Sequence, residues 1–250
     1  MPTSAAIVKR DQAKVAADAL IEVNGVIGVC VFGSVARGQA NLYSDIDLLV
    51  LGVDPKLKPS LLYKMLPSSL RNSGIMLSYF TPERLARHLV KSDIFSVHLK
   101  RDGWIVYDKE GDLARLLAEV REINPQREVV RQLRLLRTFS YTNRFGGRFL
   151  FPLAHIYRIA RTVTYAQLAD RDLFEFDQDV AFRLLVDKMP QWRDEIAVIE
   201  RLAPFYVRTR DRSSGLEFPF DPNGPEAEAE FLRAYDAVAT IAGERDGRVG

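Results

Sequence analysis

Residues Val31–Gly52 read VFGSVARGQANLYSDIDLLVLG, and this stretch decides the expected fold. An apolar run rich in β-branched residues ends at Phe32, and a second run, Asp45–Gly52, carries two aspartates at its start. Between the two runs, Gly33 and Ser34 open a polar segment that predicts a turn followed by a short helix. The stretch therefore predicts a strand, a glycine-serine turn, a short polar helix and a second strand.

The turn and the second strand both suit a site for phosphates and metal. Gly33 lets the backbone approach a phosphate closely, while helix N-terminal amides and the Ser34 hydroxyl would donate hydrogen bonds to it. Because side chains alternate along a strand, Asp45 and Asp47 point to one face and Ile46 to the other. Such a carboxylate pair suits Mg²⁺, whose remaining ligands come from water and substrate phosphates. Aspartate is depleted in strands and costly when half buried, so we favour ligand roles over structural ones.

The motif GSVARG at Gly33–Gly38, followed by SDIDLLV at Ser44–Val50, resembles the signature of the DNA polymerase beta-like nucleotidyltransferase superfamily. Within it, the chain resembles the minimal nucleotidyltransferases and, more distantly, the aminoglycoside nucleotidyltransferases. The resemblance covers the N-terminal part of the chain.

The resemblance implies a role for each residue of the motif. Gly33, Ser34 and Ser44 would bind the triphosphate, and Asp45 and Asp47 would be both the catalytic residues and the Mg²⁺ ligands. Arg37 either contacts a phosphate or occupies a solvated helix position.

It also implies a reaction. Members of the superfamily transfer a nucleoside monophosphate from an NTP to an acceptor and release pyrophosphate. We therefore expect a Mg²⁺-dependent enzyme that transfers AMP from ATP to an acceptor hydroxyl. The acceptor is left open between a protein, an RNA and a small molecule such as an aminoglycoside, and no membrane partner is expected.

One feature departs from the superfamily pattern. Active members usually carry a third carboxylate on a later strand, but here that strand reads GIMLSYF (Gly74–Phe80), with Ser78 where an acid is sought. The nearest acids are Glu83, for which helix capping is favoured over catalysis, and Asp93, predicted in a loop. The departure keeps a rival hypothesis open: a weak or inactive nucleotidyltransferase fold that acts as an antitoxin or regulatory module for a partner protein.

The 250 residues predict two domains. Residues 1–110 are expected to form an α/β (α+β) nucleotidyltransferase domain with a small mixed sheet, and residues 111–250 an all-α helical bundle. The predicted strands are Val26–Phe32, Asp45–Gly52, Gly74–Phe80 and Gly103–Asp108. The predicted helices are Ser4–Asn24, Lys58–Leu70, one opened by Thr81, Ile94–Lys100, Asp112–Glu122, Pro125–Tyr141, Arg148–Ala169, Asp177–Lys188, Gln191–Val207 and Pro225–Ile241.

Composition excludes several other classes of protein. With 47% hydrophobic residues and a mean hydropathy of −0.10, the chain can build a core but lacks the apolar run of ~20 residues that spans a membrane. The N-terminus lacks the pattern of a signal peptide, so we expect a cytoplasmic protein. Cys30 is the only cysteine, which excludes an intramolecular disulfide and a cysteine-based zinc site.

The helical half carries basic residues whose roles stay open. Four arginines share one side of a predicted helix: Arg127, Arg131, Arg134 and Arg137. They either face a triphosphate, an RNA or an acidic partner, or form a solvated face, which we favour. The spacing of Arg148 and His155 resembles the loose arginine-histidine pattern of HEPN ribonucleases, but a packed histidine is the preferred interpretation.

Overall fold

A computed structural model describes residues 4–41, 44–71, 73–210 and 217–243, except for the side chain of Arg210. Contacts group the chain into two compact units, residues 1–123 and 124–250, whereas the sequence predicted a boundary after residue 110. The difference arises because the helix Asp112–Ala118 packs on strands and helices of the first unit.

The first unit combines a four-stranded sheet with five helices among its described residues. The helices are α1 (Ser4–Ile21), α2 (Pro59–Met65), α3 (Pro82–Leu89), α4 (Ile94–Asp102) and α5 (Asp112–Ala118), and the strands are β1 (Val26–Phe32), β2 (Ile46–Gly52), β3 (Ile75–Phe80) and β4 (Trp104–Asp108). The strand order is β3-β2-β1-β4, with β1 antiparallel to β2 and β4, and β2 parallel to β3. The predicted small mixed sheet is confirmed.

Helices cover both faces of this sheet. On one face, Val29, Val31, Leu48 and Val50 form a core with α1 and α2. On the other face the sheet meets α3, α4 and α5 so closely that a Cβ at Gly28 would lie 3.3 Å from Leu113 of α5. Because both faces are covered, β1 and β2 are almost continuous apolar runs.

Two predicted elements of this unit are wrong. Residues 33–38 form consecutive turns rather than a short polar helix. The predicted helix Lys58–Leu70 ends at Met65, because Leu66 adopts an extended conformation before Pro67, and Ser68–Leu70 forms a separate 3₁₀ turn.

The described residues of the second unit form helices joined by turns and loops, with no strand among them, as predicted. It contains α6 (Pro125–Arg137), α7 (Leu150–Ala169), α8 (Gln178–Lys188), α9 (Arg193–Glu200), α10 (Ala203–Arg210) and α11 (Ala227–Ile241), with 3₁₀ turns at Thr142–Phe145 and Pro190–Trp192. Helix α7 is the central element, since it packs against α6, α8, α10 and α11.

The predicted single helix Gln191–Val207 is wrong, because the chain forms α9 and α10 with a break between them. Pro204 has no amide proton and is disfavoured inside a helix, so it lies in the first turn of α10. Within the described parts of the chain, no helix is long and apolar enough to cross a membrane.

Candidate nucleotide and metal site

The two aspartates of the motif lie where β2 begins. Asp47 is paired with Phe32 on β1 and with Met76 on β3, and Asp45 directly precedes the strand. The Ile46 amide between them donates to the Gly74 carbonyl at 3.0 Å, which fixes this end of β2 beside β3. Both aspartates are half-buried, whereas Ile46 is fully buried on the opposite face. The carboxylates therefore share one face at one end of the sheet.

Each carboxylate lies against a glycine. Gly33 has a φ of +75°, and a Cβ placed on it would lie 2.7 Å from Asp47 Oδ2, closer than real Cβ contacts. Gly74 has a φ of +71°, and its Cβ would lie 3.2 Å from Asp45 Oδ1. The sequence indicated Gly33 by its motif but gave no signal for Gly74. Gly74 meets Asp45 only because β2 pairs with β3.

The Gly33–Gly38 turn holds its shape through backbone hydrogen bonds. The Arg37 amide donates to the Gly33 carbonyl at 3.3 Å, and the Gln39 amide donates to the Ser34 carbonyl at 2.9 Å. Among the residues that the structure describes, the Ser34 hydroxyl and the amides of Ser34 and Ala36 have no hydrogen-bond partner. A turn with such donors can bind an anion without the helix N-terminus that the sequence predicted.

Arg37 does not occupy the solvated helix position that the sequence left open, while its contact with a phosphate stays a prediction. Its Nη1 lies 2.8 Å from His98 Nε2 and 3.2 Å from Asp102 Oδ2, and its Nε donates to Gln39 Oε1 at 2.6 Å. The side chain is only 14% exposed, so it is not at a solvated helix position. Its guanidinium connects the turn to α4.

Ser44 supports the approach to β2. Its hydroxyl accepts from the Asn41 amide at 2.9 Å and donates to Asn41 Oδ1 at 3.2 Å. The predicted role of this hydroxyl in binding the nucleotide stays a prediction.

The strand next to Asp47 carries no acid. The register places Met76, which is 48% exposed, directly opposite Asp47, while Ser78 lies opposite Leu49. Glu83 is in the first turn of α3, where a backbone amide and the Thr81 hydroxyl lower the pKa of its carboxyl.

The other candidate acid also has a structural position. Asp93 lies in the loop before α4, as predicted, where it is buried and caps the helix by accepting from the Ser96 amide at 2.9 Å. Within the described ranges, no three His, Cys, Asp or Glu side chains are grouped closely enough to hold a metal ion. A metal at this site would therefore depend on the aspartate pair, with its other ligands from water and substrate.

Lys9 of α1 is near the pair and was not found from the sequence. Its Nζ donates to the Ser73 carbonyl at 3.1 Å, next to Gly74. Burial lowers the pKa of Lys9, and the negative charge of Asp45 opposes that shift. No local pattern distinguishes this lysine from others on α1, because only the packing of α1 on the sheet brings it to this end.

The basic residues of the second unit are mostly on its surface. The stripe of α6 is exposed at all four positions, Arg127, Arg131, Arg134 and Arg137, and Arg131 is paired with the buried Glu128 at 2.6 Å. Arg148 is exposed, whereas His155 is half-buried and packs against Phe139 with ring centroids 5.6 Å apart. Burial and the nearby Arg158 lower the pKa of His155, which suits a packed neutral histidine.

Comparison with known families identifies the first unit. Residues 14–114 match the family model of the nucleotidyltransferase domain, and this part of the chain is a nucleotidyltransferase domain. No curated protein matches the chain.

One solved structure extends the likeness in fold to the helical unit. The spectinomycin adenyltransferase AAD(9) from Enterococcus faecialis, solved with ATP and spectinomycin, is 14% identical with a TM-score of 0.53. That alignment covers 93% of this chain and 98% of the other, so the likeness in fold extends over both units. A nucleotidyltransferase-like protein from Exiguobacterium sibiricum 255-15 is 12% identical over 94% of this chain and 74% of its own, with a TM-score of 0.30.

Proposed function

We propose that the protein is a Mg²⁺-dependent nucleotidyltransferase that transfers AMP from ATP to an acceptor hydroxyl and releases pyrophosphate. The nucleotide site would lie in the first unit, which contains the predicted domain of residues 1–110. The observation that carries the proposal is the close approach of Asp47 to Gly33, where an added Cβ would lie 2.7 Å from Asp47 Oδ2. It joins a turn with hydrogen-bond donors to a pair of carboxylates at one end of the sheet.

The carboxylate pair fits Mg²⁺ by the chemistry of its donors. Asp45 and Asp47 offer hard oxygen ligands on one half-buried face, and Mg²⁺ needs few protein carboxylates when phosphates and water complete its shell. When bound, the metal would neutralise charge on the triphosphate and make pyrophosphate a better leaving group. The absence of a side chain at Gly33 keeps Asp47 accessible from the turn.

The remaining parts of the turn would hold the triphosphate. Phosphate oxygens would be suitable acceptors for the Ser34 hydroxyl and the neighbouring amides. The acceptor hydroxyl would attack the α-phosphorus, forming a new phosphoester bond as the bond to pyrophosphate breaks. The acceptor proton needs a base from outside β3, because Met76 stands opposite Asp47.

A small-molecule acceptor is the preferred class. The structural neighbour that spans both units was solved with ATP and spectinomycin, and it shares its fold with this chain. This supports ATP as the donor and a hydroxyl-bearing aminoglycoside-like molecule as the acceptor.

The regulatory alternative is favoured by one observation. Met76 is exposed and stands opposite Asp47, where a third acid would complete the site. Its presence there suits a fold that binds a nucleotide without transferring a nucleoside monophosphate. In that case the protein would act on a partner protein, as an antitoxin does.

The test follows label from the nucleotide into an acceptor. The protein is incubated with Mg²⁺ and each of the four α-labelled NTPs, with spectinomycin, an aminoglycoside panel or total RNA as acceptor. We expect label from ATP in a small-molecule acceptor, lost in Asp47→Asn and nearly lost in Asp45→Asn. The matched control is Asp54→Asn, because Asp54 is an exposed aspartate just beyond the opposite end of β2.

Wild-type transfer rates in Asp47→Asn would contradict the proposed ligand role. Label in no acceptor, despite calorimetric binding of Mg·ATP, would favour the regulatory alternative. The absence of Mg·NTP binding would exclude both hypotheses that use this site.

A further inference from the structure

Arg37 connects the Gly33–Gly38 turn to helix α4. Its backbone amide bonds within the turn, and its side chain contacts two residues of the helix. Its amide closes the turn by donating to the Gly33 carbonyl, while Nη1 contacts His98 Nε2 at 2.8 Å and Asp102 Oδ2 at 3.2 Å. His98 and Asp102 are one helical turn apart, with Nε2 and Oδ2 separated by 3.2 Å. The three side chains therefore form one closed cluster.

Burial strengthens this cluster. The side chains of Arg37, His98 and Asp102 are only 14%, 19% and 17% exposed, so water screens their charges weakly. Burial raises the pKa of Asp102, but hydrogen bonds and charges from His98 and Arg37 outweigh it and hold the pKa below its ordinary value. Loss of the Asp102 charge would leave the Arg37 guanidinium half-buried without its counter-charge.

His98 also contacts the strand that supports the aspartates. Its ring meets Phe32 edge-on, with centroids 6.3 Å apart, and Phe32 is the β1 partner of Asp47. Helix α4 thus contacts the turn through Arg37 and the strand beside the carboxylate pair through Phe32. His98 Nε2 faces a donor, Arg37, and an acceptor, Asp102, so the tautomer of the ring decides which of the two it bonds.

We propose that Asp102 and His98 are positioning residues for the nucleotide site, and that they hold the Gly33–Gly38 turn in its binding conformation through Arg37. This inference rests on the proposed function, because the proposed function assigns the binding of the triphosphate to this turn. Neither residue touches the nucleotide in this role. Arg37 is a structural anchor of the turn rather than a phosphate ligand.

The experiment combines two measurements on the full-length protein. Hydrogen exchange of the segment 31–40 reports the order of the turn without any nucleotide, and calorimetry with Mg²⁺ and a non-hydrolysable ATP analogue reports its binding. The variants are Asp102→Asn, which keeps the size and removes the charge, Asp102→Glu as the conservative rescue, and His98→Gln. The matched control is Glu119→Gln, an exposed carboxylate of the same unit.

We expect Asp102→Asn to speed exchange of segment 31–40 and to raise the Kd of the analogue about tenfold, equivalent to about 1.4 kcal/mol. Exchange in the rest of the sheet should stay unchanged, and Asp102→Glu should recover most of the binding. His98→Gln should give a smaller change in the same direction, and Glu119→Gln should give none.

Two results would overturn the inference: unchanged exchange of segment 31–40 in both Asp102→Asn and His98→Gln, or faster exchange throughout the first unit, which would indicate general destabilisation. A wild-type protein that does not bind the analogue would instead refute the proposed function, while the exchange data would still decide whether Asp102 anchors the turn.

Discussion

Replacement of Gly33 by alanine separates two effects that the structure predicts at this position. An L-residue in the left-handed region costs about 1–2 kcal/mol relative to its ordinary conformation. A Cβ at Gly33 would also lie 2.7 Å from Asp47 Oδ2, so the carboxylate must move to restore an ordinary contact. Gly33→Ala should therefore lower both the stability of the protein and its affinity for Mg·ATP.

Gly111 provides a matched control for the backbone effect. Its φ of +74° is nearly the same as that of Gly33, but a Cβ there would meet nothing within 4 Å. Gly111→Ala should therefore show the backbone cost of about 1–2 kcal/mol alone. Displacement of a metal ligand by even part of an ångström should weaken Mg·ATP binding about 10- to 100-fold in Gly33→Ala only, by analogy with the loss of outer supporting contacts at metal sites.

Urea unfolding measures the first effect and calorimetry with Mg·ATP measures the second. The two variants should have similar free energies of unfolding, and only Gly33→Ala should lose affinity. If Gly33→Ala bound Mg·ATP as tightly as Gly111→Ala, the close approach of Asp47 to Gly33 would not matter for binding, and the main support for the proposed function would be lost.

Three further predictions concern pH and the third acid. The pKa of Asp102 is held below its ordinary value, so its contribution to stability is present above about pH 4 and lost as the pH falls through the folded pKa. When the pH is lowered from 6 to 3, the urea midpoint of Asp102→Asn should therefore fall less steeply than that of the wild-type protein. The pKa of His155 is also lowered, so as the pH falls the unfolded chain takes up a proton before the folded one, and stability should decrease below about pH 6.5. His155→Phe should remove this dependence of the urea midpoint on pH, and an unchanged dependence would contradict the prediction. Met76→Asp places a third carboxylate opposite Asp47 and should tighten Mg²⁺ binding, measured by calorimetry; weaker binding would argue against a metal between these strands.

Local sequence patterns predicted much of the first unit. The bounds of β1 agree with the prediction of Val26–Phe32, because a β-branched run between glycines has few alternatives. The N-cap Thr81, followed by Pro82 and Glu83, likewise predicted the start of α3. Two errors are at prolines inside longer helical patterns, at Pro67 and before Pro204, where a periodic signal continues across a residue that interrupts the helix. A further error is the short polar helix predicted after Ser34, because residues 33–38 form turns.

The sequence by itself determined which residues could form a nucleotide site. A glycine-serine turn and two aspartates on one strand face follow from chain order and from the alternation of side chains along a strand, which both act within a few residues. These local rules place Asp45 and Asp47 together without knowledge of the rest of the fold.

Only the tertiary structure decided what surrounds that site. The pairing register of β2 and β3 puts Met76 rather than Ser78 opposite Asp47, and the packing of α4 brings Asp102 to Arg37. Register and helix packing depend on how whole apolar faces fit together, and the residues that meet are far apart in the chain. No periodicity within one segment carries that information, so the partners of the motif are set by the folded core.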